Sequence, residues 1–286
     1  MQEFIDKADV LLEALPYIQR FRSSVFVVKY GGSFMDSPDP KVRSGVAADI
    51  VFLETVGINP IVVHGGGKAI TTAMEKAGIK AQFVQGMRVT DEETMKCVEE
   101  VLANIINRDI VEMIQKLGGK ARSFSGKDVF KCRKLLKDGV DLGYVGEVVD
   151  VDVEKIRKCL YTQVTPVISP IGLGDDEHAY NINADVAAAK LAMVIGARRL
   201  VFLSDVPGLL RNPNNPETLI SSLHVSEALE LKRQGIIDQG MIPKVDSAVE
   251  AVHAGVHRVH FVDGRTPHSV LLEIFTDQGL GTEIVK

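Results

Sequence analysis

The chain has 286 residues, 45% of them hydrophobic and 25% charged, with a formal net charge of −5. That length can bury a large core as one α/β unit or two lobes. The acidic balance lacks the concentrated basic surface that nucleic-acid binding requires.

Taken in chain order, Ala8, Leu11, Leu12, Leu15 and Ile18 repeat at helical spacing, and Phe21 continues the stripe. A helix is expected over 8–21, kinked or split at Pro16. From residue 24 onward, strands and helices alternate. Strands are expected at 25–30, 60–64, 164–169, 199–204, 258–262 and 282–285. Helices are expected at 41–56, 67–77, 91–117, 152–161, 185–195, 226–234, 244–254 and 267–277. Such alternation argues for an α/β fold with a largely parallel sheet covered on both faces. Residues 118–151, punctuated by Gly139, Gly143 and Gly146, suggest a small antiparallel hairpin insert. The Pro- and Asn-rich stretch 205–220 reads as a long loop. The sheet is expected to divide near 172–180, where Gly172 and Gly174 flank an acidic run.

No apolar run approaches the ~18 residues of a membrane span. Early acidic residues (Glu3, Asp6, Asp9) do not suit a signal peptide. Cys97, Cys132 and Cys159 lie far apart without a C-x-x-C, which suits reduced thiols. A soluble, cytoplasmic protein is the expectation. His253, His257 and His260 straddle a helix end and a strand, so they are not expected to converge on a metal.

Two turns share one design. Val27-Val28-Lys29-Tyr30-Gly31-Gly32 and Ile61-Val62-Val63-His64-Gly65-Gly66-Gly67 each run a β-branched stretch into glycines, with a helical pattern behind. Glycine there lets backbone N–H groups close on a ligand, and a helix N-terminus favours anions. Tight strand-to-helix packing would also account for each turn alone. Neither turn fits G-x-x-x-x-G-K-S/T or G-x-G-x-x-G. Lys29 lies within an apolar strand and is either solvated on an edge or aimed over the turn at phosphate oxygens. Pro243 fits the first helical position. Lys244 then stands in the first turn, opposing the helix macrodipole unless an anion sits nearby. Asn181-Ile182-Asn183-Ala184-Asp185 leads into a helix. Asn183 or Asp185 could be an N-cap, or Asn181 could donate to a ligand with Asp185 between the two lysines. Thr90 and Glu93 form a capping box for the long helix. Arg88 just before it can grip a carboxylate bidentately, or lie on the surface.

On these residues the chain resembles the amino acid kinase family over nearly its whole length. The resemblance is carried by VVKYGGS at 27–33, VVHGGGKAI at 62–70, GMRVTDEETM at 86–95, YNINADVAAAKLA at 180–192, LSDVPGLL at 203–210 and GMIPKV at 240–245. Arg88 in its context and the YNINAD run point to the branch whose acceptor is N-acetyl-L-glutamate. The resemblance implies a three-layer αβα sandwich around a mainly parallel sheet. It implies an N-terminal helix (1–23) for oligomerisation, an acceptor-binding lobe (24–176) and an ATP-binding lobe (177–286). Lys29 and Lys244 would be transition-state lysines and Asp185 their organiser. Gly31, Gly32, Gly65 and Gly66 would contact the phosphoryl group and acceptor. Arg88 and Asn181 would hold N-acetyl-L-glutamate, and Ser204 and Asp205 the nucleotide. ATP with Mg²⁺ would serve as phosphoryl donor, with no metal held by the chain itself.

Some family members are arginine-inhibited hexamers. By resemblance, Tyr17, His268, Glu273 and Gly279 would surround bound L-arginine, and the N-terminal helix would interlace dimers or simply pack on its own lobe. In some relatives the PII signalling protein is a further partner. The implied reaction is phosphorylation of the γ-carboxylate of N-acetyl-L-glutamate, in arginine biosynthesis. Three other readings stand beside it: a related kinase for an aminoadipate-type acceptor, a catalytically silent nucleotide or arginine sensor, and a dinucleotide-dependent oxidoreductase.

Overall fold

The computed structural model describes residues 1–31, 35, 40–137, 139–237 and 240–286. Helix α1 (Gln2–Phe21) begins earlier than the apolar stripe suggests and passes through Pro16 without splitting. Pro16 removes the partner of the Leu12 carbonyl, but both residues are exposed, so water satisfies that group.

Strand β1 (Val25–Tyr30) leads through α2 (Pro40–Thr55) to β2 (Asn59–His64) and α3 (Gly67–Lys76). A short ribbon, β3 (Phe83–Val84) and β4 (Met87–Arg88), precedes α4 (Glu92–Glu99). That helix continues through a π-helical stretch, Glu100–Ile106, into α5 (Asn107–Lys116). Then come β5 (Ala121–Phe124), the hairpin β6 (Phe130–Lys137) and β7 (Val140–Val151), α6 (Glu154–Tyr161), β8 (Thr165–Ile168), β9 (Ile171–Gly174) and β10 (Ala179–Asn181). The C-terminal part comprises α7 (Ala184–Ile195), β11 (Arg199–Ser204), β12 (Ser222–His224), α8 (Ala228–Arg233), α9 (Ile242–His253), β13 (Arg258–Asp263), α10 (Ser269–Ile274) and β14 (Thr282–Val285).

Eight strands form one sheet in the order β12-β14-β13-β11-β1-β2-β8-β5. Every neighbouring pair is parallel except β13 and β14. Side chains alternate between two cores. Phe26, Val28, Val62 and Val201 pack with α1, α2, α5 and α10 on one face. Val27, Ile61, Val63 and Phe202 pack with α7 and α9 on the other. A parallel sheet buried on both faces is what the continuous apolar runs predict.

Two expectations need correction. The sheet does not divide near 172–180, because β1 pairs directly with β11 and carries it across both halves of the chain. Residues 172–180 instead form the β9–β10 connection, which closes β6 and β7 into a four-stranded barrel. The stretch 118–151 is also not all insert. Its first strand, β5, is the edge of the main sheet, where only Ala121 and Phe124 turn inward.

The capping box fails as well, since Asp91 caps the helix through Thr94 N. Thr90 is drawn into the barrel wall, where its backbone bonds Leu142 and Tyr144. Gly143 permits that approach. Its φ is +76°, and a Cβ there would strike the Thr90 carbonyl. We expect Gly143→Ala to cost at least about 1 kcal/mol, seen as a lower denaturation midpoint in urea at unchanged slope.

Candidate active site

The carboxyl ends of β1, β2 and β11 meet where the connections leave the sheet in opposite directions, the usual crevice of an open parallel sheet. Lys29 occupies the same face of β1 as Val27, the face covered by α7 and α9. It is 8% exposed, so the edge-strand alternative is excluded. Its Nζ lies 3.0 Å from Asp185 Oδ1. Lys244, from the first turn of α9, engages Asp185 Oδ2. Residues far apart in sequence therefore share one carboxylate.

Asn183 accounts for Asp185's position. Its Oδ1 accepts from Asp185 N (2.8 Å) and Val186 N (3.2 Å), capping α7. That frees the Asp185 carboxylate to face the lysines. Burial pushes the Asp185 carboxyl up, but the two ammonium groups outweigh it and hold the pKa at about 2. Burial lowers the Lys29 pKa against the pull of Asp185, and the Lys244 charge adds to the lowering. One carboxylate under two cations leaves local positive charge beside the glycine turns.

Those turns touch. Gly65 N donates to Tyr30 O (2.7 Å). A Cβ on Gly31 would sit 2.6 Å from Lys29 Nζ and 3.5 Å from Gly65 N. A Cβ on Gly66 would sit 2.5 Å from Ile106 Cδ1 and 2.6 Å from Leu102 Cδ2, both in the π-helical stretch. A side chain at Gly31 would displace the Lys29 ammonium, and one at Gly66 the ends of Leu102 and Ile106. Gly66 caps α3 without any side-chain hydrogen bond, which leaves the first N–H groups of α3 able to face an anion. Gly32 lies outside the described residues. Gly31→Ala is expected to push the Lys29 ammonium off its position, lowering kcat more than about tenfold at little cost in stability. Steady-state rates beside thermal melts check it.

Arg88 is buried at the end of β4, with its guanidinium 4.7 Å from the Phe83 ring centroid. Its Nη2 donates to Gly67 O and Thr71 Oγ1, both at 2.8 Å, at the head of α3. Asn181 on β10 donates to Thr90 Oγ1 (3.3 Å), and that hydroxyl donates to Arg88 O (3.0 Å). Thr90 therefore ties the two residues together, a role its place in an apparent capping box concealed. Ser204 ends β11, and the half-buried Asp205 after it is near enough for its charge to act on Lys29.

Tyr17, Glu273 and Gly279 come together elsewhere, lining a cavity of about 630 Å³ between α1 and the C-terminal segment. His268 is not among its lining residues, and His260 is. The His268 Nδ1 lies 2.7 Å from Asp49 Oδ1 on α2, while His260 Nδ1 pairs with Glu273 Oε1 at 2.7 Å. Arg20, Arg199, Arg258, Asp277 and Glu283 give the cavity charges of both signs.

Among known proteins, the amino acid kinase family matches residues 24–263. An acetylglutamate kinase of Aquifex aeolicus is 49% identical, over 99% of this chain and 99% of its own length. An acetylglutamate kinase of Methanocaldococcus jannaschii is 48% identical, over 100% of this chain and 98% of its own. Among solved structures, an N-acetylglutamate synthase of Neisseria gonorrhoeae, complexed with coenzyme A and N-acetyl-glutamate, superposes with a TM-score of 0.86. It is 27% identical over 96% of this chain, which spans only 62% of that longer protein. Carbamate kinase of Giardia lamblia, at 16% identity over 92% of this chain and 99% of its own, shares the fold with a TM-score of 0.67.

Proposed function

The chain belongs to the amino acid kinase family, and from that membership we propose that it transfers the γ-phosphoryl group of ATP to the γ-carboxylate of N-acetyl-L-glutamate, in arginine biosynthesis. The product is an acyl phosphate. The observation that carries this reading is Asp185 held between Lys29 and Lys244 at the mouth of two abutting glycine turns.

A carboxylate acceptor with a reference pKa of about 4.3 is already ionised at neutral pH, so no general base is needed. The obstacle is repulsion between an anionic nucleophile and an anionic phosphate. Ammonium groups and backbone N–H groups aimed at the transferring group relieve it, and phosphoryl transfer is mostly positioning and charge stabilisation. Asp185, already saturated by cations, organises the lysines and takes no proton. Among the described residues, no group of three or more His, Cys, Asp or Glu side chains could hold a metal ion. Mg²⁺ would arrive on the nucleotide's phosphates, where it would neutralise their charge.

We assign residues 24–176 to the acceptor side, with Arg88 and Asn181 gripping the substrate, and 177–286 to the nucleotide side, with Ser204 and Asp205 near the phosphates. Arg88→Ala should then raise the acceptor KM at least about tenfold with kcat changed much less, since a uniform binding contact is lost. An unchanged KM would remove Arg88 from the grip. Trapping the product with hydroxylamine tests the reaction itself. Hydroxamate should form with ATP, Mg²⁺ and N-acetyl-L-glutamate, and not with aminoadipate analogues.

We assign the cavity lined by Tyr17, Glu273 and Gly279 to L-arginine, whose guanidinium suits its carboxylates and whose carboxylate suits its arginines. Exposed Phe4, Leu11, Leu12 and Leu15 on α1 support assembly into a hexamer through this helix. Cys97, Cys132 and Cys159 are all unpaired, in keeping with a cytoplasmic enzyme.

A further inference from the structure

His64 ends β2 beside the glycine turn and is fully buried. Its ring faces a fixed set of partners. Asn107, at the start of α5, is also fully buried, and its Nδ2 lies 3.0 Å from Val167 O on β8 and 3.2 Å from His64 Nε2. A backbone carbonyl can only accept, so the Val167 oxygen fixes which end of the Asn107 amide faces it. The second proton of that NH₂ then points at His64 Nε2, which must accept. The imidazole therefore carries its proton on Nδ1 and donates it to Gly65 O, 2.9 Å away. Burial pushes the His64 pKa down to about 4, in keeping with a neutral ring.

The Gly65 carbonyl belongs to the peptide that carries the Gly66 N–H. In a trans peptide these two groups point in opposite directions. Holding Gly65 O against the imidazole thus turns Gly66 N–H, at the N-cap of α3, away from the ring, and no hydrogen bond to this N–H occurs among the described residues. The Gly65 N–H is meanwhile spent on Tyr30 O. The π-helical stretch ends immediately before Asn107, and its Leu102 and Ile106 side chains close over Gly66. Such stretches recur where a helix has been re-aimed for function.

We propose that His64 is a positioning residue for phosphoryl transfer: as a neutral Nδ1–H tautomer set by Asn107 and Val167, it locks the Gly65–Gly66 peptide so that Gly66 N–H faces the transferring group. The inference rests on the phosphoryl-transfer reading only for what the turn is held toward, since the tautomer follows from the hydrogen bonds alone.

Two substitutions separate the ring's two ends. His64→Asn puts an amide donor where Nδ1 stands and keeps the bond to Gly65 O. His64→Gln reaches Asn107 instead and abandons Gly65. We expect His64→Gln to lower kcat about 100-fold with both KM values within about threefold, and His64→Asn to stay within about tenfold of the parent enzyme. ATP binding by calorimetry confirms that each variant is folded. Nitrogen-15 spectra of histidine-labelled protein, with His64 assigned by its loss in His64→Asn, should show a protonated Nδ1 and an unprotonated Nε2. A protonated Nε2, equal losses in both variants, or unimpaired His64→Gln overturns the proposal. Parent enzyme that yields no acyl phosphate overturns the kinase reading instead, and the spectrum still judges the tautomer.

Discussion

Replacement of Lys29 by alanine is expected to lower kcat by about 10³-fold while weakening ATP binding by less than about tenfold, and Lys244→Ala should behave alike. The asymmetry follows from where these charges lie. Both ammonium groups already have a counter-ion in Asp185, so ground-state ATP gains little from them. Negative charge builds at the migrating phosphoryl group only during transfer, when a carboxylate oxygen approaches it. Preorganised cations in a site screened from water then act at their strongest. Lys29→Arg should rescue poorly, since a planar guanidinium cannot fit the space where even a methyl on Gly31 would lie 2.6 Å from Nζ. Steady-state kinetics together with calorimetric ATP titration separate the two quantities. A loss confined to ATP affinity would make the lysines nucleotide anchors and nothing more.

Asp185→Ala should do damage of two kinds, removing activity and destabilising the fold by about 3–5 kcal/mol, the cost of leaving buried charge without its partner. Lys29 is the residue stranded, because it is buried in the sheet core and has its ammonium 3.0 Å from the deleted carboxylate. Asp185→Asn keeps the shape and drops the charge, so it should fall between the two in stability yet remain nearly inactive. The sign with pH follows from the same contacts. The native carboxyl has a pKa of about 2, below its ordinary value. Its contribution to stability is present above the ordinary carboxylate range and is lost as pH falls toward 2. Parent and Asp185→Asn stabilities should therefore converge in acid. Urea denaturation across pH measures this, and a gap that persists below pH 2 would contradict it.

The parallel core was legible because β1, β2, β11 and β13 each carry a short apolar stretch set between helical patterns. Lys29, Lys244 and Asp185 were legible as anomalies: a charge in an apolar strand, a cation at a helix start, and an acid beyond a cap. Their convergence was expected from the family resemblance and not from spacing, which carries no distance across a sheet crossover. The barrel hid for a related reason. Residues β9 and β10 contribute are few, and they pair with β6 and β7 from much earlier in the chain. Thr90 was misread because Thr-x-x-Glu fits a cap locally, while a tertiary bond to Leu142 claimed its backbone first. His64 stood in plain view before three glycines, yet its partner Asn107 is named only by the fold.

The central claim is that Lys29 and Lys244 act together on one migrating phosphoryl group. A crystal structure with ADP, Mg²⁺, aluminium fluoride and N-acetyl-L-glutamate tests it most directly. Both Nζ atoms should lie roughly 3 Å from the same fluoride group, on the line between the nucleotide and the acceptor carboxylate. Either ammonium remaining on Asp185, out of reach of that group, would contradict the account.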